Sequence, residues 1–211
     1  MLRPLFILFA KAPIAGRVKT RLCPPLTPEE ACALHAAFVS DAGHMLLTLS
    51  GFADIELSTD VPTTAWKELS FPRSIQREGG LGTRLQHAIE HGLATGREAV
   101  TILGSDSPGL PPAHLRELLE SKAGITLGPT TDGGFYAITC RAVNRAMFAG
   151  VRWSSEHTLV DVVAAATASG VTVEIGPGWF DIDVEADLLR LLEMPDLPEK
   201  TAAWARRYRK R

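Results

Sequence analysis

Cysteine is scarce in this 211-residue sequence, which contains only Cys23, Cys32 and Cys140. An odd and scattered set cannot be paired completely into disulfides, and no two of the three have the spacing of zinc ligands. We therefore expect reduced thiols and a cytoplasmic location, because disulfides are rare in the reducing cytoplasm.

The sequence also lacks a long apolar run. No segment reaches the roughly 18 apolar residues that suggest a membrane-spanning helix. The apolar segment Leu5–Ala10 precedes a small-x-small triplet, but it is shorter than the apolar core of about 7–15 residues in a secretory signal. We interpret it as a buried first strand.

Neither sign of charge is in large excess. The 22 Lys and Arg residues oppose 24 Asp and Glu residues, which gives a net charge of −2. This balance offers no electrostatic reason to expect a nucleic-acid or membrane partner. We interpret the basic C-terminal segment, about residues 199–211, as a helix that ends in a solvated tail.

Short apolar segments alternate with amphipathic ones along the chain. Leu5–Ala10 and Ala99–Leu103 have the composition of buried strands, whereas Leu81–Ala94 repeats apolar residues at helical spacing. The segment Thr27–Glu30 has the form of a capping box with proline at the first helical position. The alternation predicts one α/β domain over residues 1–211, with a mainly parallel sheet covered by helices on both faces.

The same patterns predict the other elements. The remaining helices are expected at 27–49, 111–121, 156–168, 185–193 and 199–209. The remaining strands are expected at 52–58, 74–77, 125–127, 135–139 and 171–175. We interpret Gly128–Gly134 as a loop at the edge of the sheet.

Ligands of open parallel sheets bind at the carboxyl ends of the strands, and the loop after the first strand is rich in cations. Gly16 would let backbone amides approach a ligand, and the cations would offset phosphate charge. A Walker A motif is absent. We predict a phosphate-binding loop rather than an ordinary solvated one, with the candidates Lys11, Gly16, Arg17, Lys19 and Arg21.

Aspartates follow two later strands. Asp106 comes directly after Ala99–Leu103, and Asp181 and Asp183 come after the last strand. Carboxylates with substrate phosphates are the ligands that Mg²⁺ and Mn²⁺ prefer, so all three are candidate metal ligands. The alternative for Asp106 and Asp183 is that each caps the helix that follows it.

Two further segments are candidates for substrate contacts. Asp132 with Gly133 and Gly134 could handle the acceptor, although such a triplet also forms ordinary turns. The segment Gln76–Arg84 could close over the base or sugar, or bring Gly82 and Arg84 to the phosphates.

Taken together, these segments resemble a bacterial family of GT-A-like nucleotide-diphospho-sugar transferases. Within it, the sequence is most similar to radical-SAM-associated and arsenosugar-biosynthesis-type glycosyltransferases, which are related to MobA-like nucleotidyltransferases. The resemblance extends over about residues 5–188. It depends on Phe9–Pro13, Gly16–Leu22, Gly104–Leu110, Gly128–Pro129, Asp132–Tyr136 and Asp181–Asp183.

The resemblance implies a three-layer α/β/α fold with a mixed sheet, a nucleotide site in the first half and an acceptor site in the second. It also implies that Asp106 stands for the metal-binding aspartate of an Asp-x-Asp motif. Here that motif is Ser105-Asp106-Ser107, with one carboxylate, as is typical of the nucleotidyltransferase relatives.

Two reactions therefore stay open. As a glycosyltransferase, the protein would use Mg²⁺ or Mn²⁺ and Arg17, Lys19 or Arg21 to stabilise the departing diphosphate. Asp132 would orient or deprotonate a small acceptor. As a nucleotidyltransferase, it would join a nucleoside triphosphate to a phosphorylated acceptor and release pyrophosphate. A non-catalytic nucleotide-binding module is a third reading, and a homodimer is a common default.

Overall fold

The computed structural model describes residues 2–210, so Met1 and Arg211, the two ends of the predicted domain, lie outside the described residues. Within this range the chain forms a seven-stranded sheet with helices on both faces. None of the helices described there is both long enough and apolar enough to cross a membrane. The predicted three-layer α/β/α architecture is confirmed.

The elements begin and end within a few residues of the predicted bounds. The strands are β1 (Leu5–Ala10), β2 (Asp54–Thr59), β3 (Arg73–Ile75), β4 (Val100–Gly104), β5 (Ile125–Pro129), β6 (Phe135–Cys140) and β7 (Val173–Ile175). The helices are α1 (Pro28–Leu47), α2 (Leu81–Ala94), α3 (Pro112–Glu120), α4 (Thr158–Ala168), α5 (Glu185–Glu193) and α6 (Glu199–Tyr208). Thr27 and Glu30 form the predicted capping box at the start of α1.

The strand order in the sheet is β3-β2-β1-β4-β6-β5-β7, and β6 alone runs antiparallel to its neighbours. The chain winds outward from β1 through β2 to β3 and then returns to the other side of β1 with β4. Because the winding direction reverses there, the carboxyl ends of β1 and β4 flank a crevice. One prediction was wrong: Gly128 and Pro129 extend β5, an inner strand, instead of forming a loop at the sheet's edge.

Alternate residues of the strands pack into two separate hydrophobic cores, one on each face of the sheet. Phe6 and Leu8 of β1 pack on the side of α1 and α3, whereas Leu5 and Ile7 pack on the side of α2 and α4. Successive strand residues point to opposite faces, so a strand buried on both faces is apolar throughout. This requirement explains the continuous apolar run of β1.

A third core attaches the C-terminal segment to the rest of the domain. Leu22, Ile182 and Leu188 are fully buried in it together with residues of α1 and α6. Leu22 ends a short 3₁₀ turn, Thr20–Leu22, and Ile182 precedes Asp183 in the chain. Packing of these apolar neighbours therefore brings Asp183 to the loop that follows β1.

The start of α6 depends on a residue of another helix. Its first backbone amides have no side-chain cap of their own, because Pro198 stands at the cap position. The buried carboxylate of Asp41 in α1 accepts hydrogen bonds from the amides of Lys200 (3.0 Å) and Thr201 (2.8 Å) and from the Thr201 hydroxyl (2.7 Å).

We expect Asp41→Ala to lower the free energy of unfolding by about 1–3 kcal/mol, because it leaves these donors without a partner. Urea denaturation measures the change. The control is Asp196→Ala, which removes an exposed carboxylate near the same helix and should change stability by less than about 0.5 kcal/mol. Equal effects of the two substitutions would contradict the capping role.

Candidate functional site

A cavity of about 530 Å³ lies at the carboxyl ends of β1 and β4. This is the crevice that the strand order predicts. Several of the predicted site residues line it: Lys11, Lys19, Arg21, Arg84, Asp106 and Asp183. The sequence therefore identified both the edge of the sheet and a large part of the wall.

The Lys19 ammonium occupies the centre of this wall. It donates to the Ile182 carbonyl (2.5 Å) and to Asp183 Oδ1 (2.8 Å), and it lies 3.0 Å from Asp106 Oδ1. Two hydrogens of the ammonium are used in these hydrogen bonds, and Asp106 adds an ion pair on the same group. In this conformation Lys19 is bound to the protein and is not free to donate to a phosphate.

Burial and charge act in opposite directions on this group. Burial disfavours the charged ammonium, but attraction to Asp106 and Asp183 outweighs it, so the pKa of Lys19 is raised above its ordinary value. Burial likewise opposes ionisation of Asp106, yet Lys19 holds the pKa of that carboxyl below its usual range. The lysine and the carboxylate are therefore both charged at neutral pH.

Two of the three non-glycine residues with positive φ in the described chain lie beside the cavity. Lys19 (φ 47°) and Ser154 (φ 58°) have left-handed backbones, and both line the cavity. Such a conformation costs an L-residue about 1–2 kcal/mol and persists only where surrounding contacts hold it. The ion pairs of Lys19 are contacts of this kind, and the 3₁₀ turn begins directly after it.

The loop after β1 is held by two residues that the sequence-based reasoning missed. His35 in α1 lies with Nε2 2.9 Å from the Lys11 carbonyl, and Asp60, directly after β2, accepts from the Ala12 amide (2.7 Å). Asp60 also lies 3.8 Å from Arg17, which, like Gly16, does not line the cavity. Two signals could have revealed the pair: a histidine on the buried face of α1, and a carboxylate at a strand's carboxyl end.

Gln76 connects the ends of three elements. Its amide nitrogen donates to the carbonyls of Ser58 (2.9 Å) and Ala10 (3.2 Å), and its oxygen accepts from Arg84 (2.9 Å). Arg84 is thereby fixed in the cavity wall. Gly82 is not: it lies against the Trp153 indole and lines a second cavity of about 460 Å³.

Asp132 forms a turn. Its Oδ1 accepts from the Thr130 hydroxyl (2.6 Å) and from the Gly134 amide (2.9 Å). Gly133 has φ 88° and lies so close to the Glu156 carbonyl that a side chain would not fit. These three residues do not line the first cavity.

Asp181 is influenced by charges on both the Asp132 turn and the cavity wall. Burial raises its pKa to about 6, with further contributions from the charges of Asp132 and Asp183. Only Asp106 and Asp183 form ion pairs with Lys19 within residues 2–210. The same range contains no group of three or more His, Cys, Asp or Glu side chains arranged to hold a metal. Asp106 and Asp183 are therefore the two carboxylates that meet at this point of the cavity wall.

We expect His35→Gln to change how stability depends on pH. Burial lowers the pKa of His35, so the unfolded chain takes up a proton at a higher pH than the folded one. The stability that neutral His35 contributes is complete above about pH 6.5 and is lost as the pH falls through the lowered pKa. Glutamine can still donate to Lys11 but does not titrate in this range.

Urea denaturation at pH 7.5 and pH 5.0 tests this expectation. Acidification should destabilise the wild type more than His35→Gln, whereas the exposed His157→Gln control should follow the wild type. A parallel decline in all three proteins would show that His35 is not buried in its neutral form.

We also expect Gly133→Ala to be more destabilising than Gly150→Ala. Both glycines have positive φ, but only at Gly133 would a Cβ meet backbone, the Glu156 carbonyl at 2.1 Å. Thermal unfolding should show an extra loss of about 1–3 kcal/mol for Gly133→Ala, which is typical of steric overpacking. Equal losses would mean that the turn has room to adjust.

The overall structure resembles several solved transferases. A protein from Desulfovibrio desulfuricans G20, provisionally named a nucleotide-diphospho-sugar transferase, has a TM-score of 0.86 and 26% identity over 99% of both chains. A nucleotidyl transferase from Methanothermobacter has a TM-score of 0.57 and 14% identity over 90% of this chain and 96% of that one. A CMP:2-keto-3-deoxy-manno-octonic acid synthetase in complex with CTP has a TM-score of 0.56 and 12% identity over 90% and 97%. The two distant relatives show that the fold is shared, and the chain has the nucleotide-diphospho-sugar transferase fold.

Sequence comparison gives a family as well as a fold. No curated protein matches the sequence significantly. A family model matches residues 33–155, more than half of the chain, which include Asp106 and the Asp132 turn but neither the loop after β1 nor Asp183. The chain therefore belongs to the family described as "Uncharacterized protein conserved in bacteria (DUF2064)".

Proposed function

We propose that this protein is a metal-dependent transferase that uses a nucleotide-activated donor, and that it moves a sugar from a nucleoside-diphosphate sugar to a small acceptor. The observation that carries the proposal is the meeting of Lys19, Asp106 and Asp183 in a cavity at the switch point of the sheet. Lys11, Arg21 and Arg84 add positive charge to the same wall. Such a combination suits a diphosphate and its counter-cation.

The two carboxylates suit Mg²⁺ or Mn²⁺. Asp106 and Asp183 each direct an oxygen at one cation, the Lys19 ammonium, over 3.0 and 2.8 Å. Mg²⁺ is commonly held by one or two carboxylates, with phosphate oxygens and water completing its shell. Bound there with the nucleotide, the metal would neutralise phosphate charge and stabilise the departing diphosphate. Asp181 lies two residues before Asp183 in the chain. It would support this pair rather than replace either member.

Arg21 is the cation best placed to follow a ligand. Its side chain is 69% exposed and lies 3.6 Å from Asp183, so the protein restrains it only weakly. Arg84 is held by Gln76 and would act from a fixed position. We assign phosphate binding to both and to Lys11, with Arg21 as the adaptable member.

Asp132 is the proposed acceptor-side residue. Its hydrogen bonds to Thr130 and Gly134 both go through Oδ1, so Oδ2 would be the oxygen that meets an acceptor hydroxyl. Gly133 and Gly134 hold this carboxylate in place through the turn. A carboxylate in such a position can orient or deprotonate a hydroxyl.

Nucleotidyl transfer is the second candidate, and one observation favours it. The segment Ser105-Asp106-Ser107 supplies one carboxylate where an Asp-x-Asp motif would supply two. In that reaction Lys19 and Arg21 would hold a triphosphate, and the product would be pyrophosphate. The products distinguish the two reactions, because sugar transfer releases a nucleoside diphosphate.

A cytoplasmic location is part of this proposal, and the free thiols of Cys23, Cys32 and Cys140 agree with it. A homodimer would follow the commonest pattern among soluble oligomers. A nucleotide-binding module without catalysis is the reading that remains if neither product forms.

Thermal denaturation against nucleoside triphosphates and nucleotide sugars, with and without Mn²⁺, tests the proposal. A ligand at about 100 times its dissociation constant adds roughly 2.7 kcal/mol, which raises the midpoint by about 5–11 °C in a domain of this size. We expect a Mn²⁺-dependent shift with one nucleotide sugar. Asp106→Asn should lose the shift relative to its own baseline, whereas the exposed Asp196→Asn should keep it.

A shift with triphosphates alone would favour nucleotidyl transfer. A shift that is unchanged in Asp106→Asn or independent of Mn²⁺ would contradict the metal assignment. The absence of any shift would contradict the whole proposal.

A further inference from the structure

The two carboxylates proposed as metal ligands already contact a cation, the Lys19 ammonium. The Lys19 side chain is only 4% exposed, and its ammonium bonds to Asp183 and lies in ion-pair contact with Asp106. The ammonium also donates to the Ile182 carbonyl. Lys19 therefore fills the position between the carboxylates.

A metal ion on these carboxylates would lie close to this ammonium. Lys19 contacts Oδ1 of both Asp106 and Asp183, and a divalent cation binds carboxylate oxygens at about 2.1 Å, so even through the Oδ2 atoms it would be within a few ångströms of a buried positive charge. The two cations would repel each other. The metal therefore binds these carboxylates more tightly where the ammonium has left them.

If the Lys19 ammonium leaves the carboxylates, its side chain can extend into the adjacent cavity. Its backbone is anchored by the 3₁₀ turn and by buried Leu22, so the four-carbon side chain is the part able to move. That side chain borders the cavity in which phosphates would lie. Phosphate oxygens could replace the three acceptors that the ammonium gives up.

We propose that Lys19 and the divalent metal compete for Asp106 and Asp183, so that the site accepts metal only together with a phosphate-bearing ligand that receives the lysine. This inference rests on the proposed function for the identity of that ligand. Its consequence is ordered binding: free metal alone binds weakly, and the lysine stabilises the empty site.

Binding of Mn²⁺ alone, followed through the loss of the free Mn²⁺ signal in electron paramagnetic resonance, tests the competition without any nucleotide. Lys19→Met removes the competing cation. Lys19→Gln also removes the charge but keeps an amide that can donate to the carboxylates. Both should bind Mn²⁺ at least about tenfold more tightly than the wild type. The reason is that Mn²⁺ no longer has to displace a charged hydrogen bond, which typically changes an equilibrium constant by at least that factor.

Arg21→Met is the matched control. It removes the same charge at 3.6 Å from Asp183, but from an exposed side chain that does not occupy the position between the carboxylates. Its Mn²⁺ affinity should stay within about threefold of the wild type, because exposed ion pairs contribute little. The double variant Lys19→Gln with Asp106→Asn should lose the gain, which would locate the ion at these carboxylates.

The proposal is overturned if neither Lys19 variant gains Mn²⁺ affinity, or if Arg21→Met gains as much. If a Lys19 variant unfolds because its carboxylates lack a counter-ion, refolding on addition of Mn²⁺ supports the competition. Failure of both variants to fold at millimolar Mn²⁺ contradicts it.

The outcome is separable from that of the proposed function. A gain in Mn²⁺ affinity without any nucleotide-induced thermal shift would support the competition and refute the transferase. A Mn²⁺-dependent shift with a nucleotide sugar, but no gain in the Lys19 variants, would support the transferase and refute the competition.

Discussion

The contact of the Lys19 ammonium with Asp106 and Asp183 is the interaction on which the candidate site depends. It joins the loop after β1, the end of β4 and the segment before α5, three parts of the chain that are far apart in sequence. Removing either carboxylate would leave the Lys19 ammonium, whose side chain is only 4% exposed, with less compensation for its burial. The strained backbone of Lys19 persists because this contact and the core around Leu22 hold it.

The order of the strands decides what surrounds this contact. Reversal of the winding between β1 and β4 opens the cavity, and antiparallel β6 turns the chain back at the same edge. The Asp132 turn therefore lies close enough to Asp181 to raise the pKa of that carboxyl. Topology thus places the cations of the cavity wall next to the carboxylates of Asp132 and Asp181.

Much of the fold and part of the site could be predicted from the sequence. Helical spacing placed Leu81–Ala94 correctly, and the strand-end rule placed Lys11, Asp106 and Asp183 at the cavity. The rule identifies an edge but not the neighbours along it, so it also selected Gly16, Arg17 and Gly82, which do not line the first cavity. It missed His35, because a histidine on a buried helix face has the pattern of a core residue. Applied to the end of β2, the rule would have found Asp60.

The sequence by itself determined the elements, because apolar periodicity and capping depend on residues a few positions apart. It also determined which charged residues follow which strand. Only the tertiary structure decided what those charges bind. Whether Lys19 holds a phosphate or a carboxylate depends on Asp183, 164 residues further along the chain, and packing of Ile182 against Leu22 brings the two together. A contact of that sequence separation has no local signature, since it arises from the shared core and not from the residues that form it.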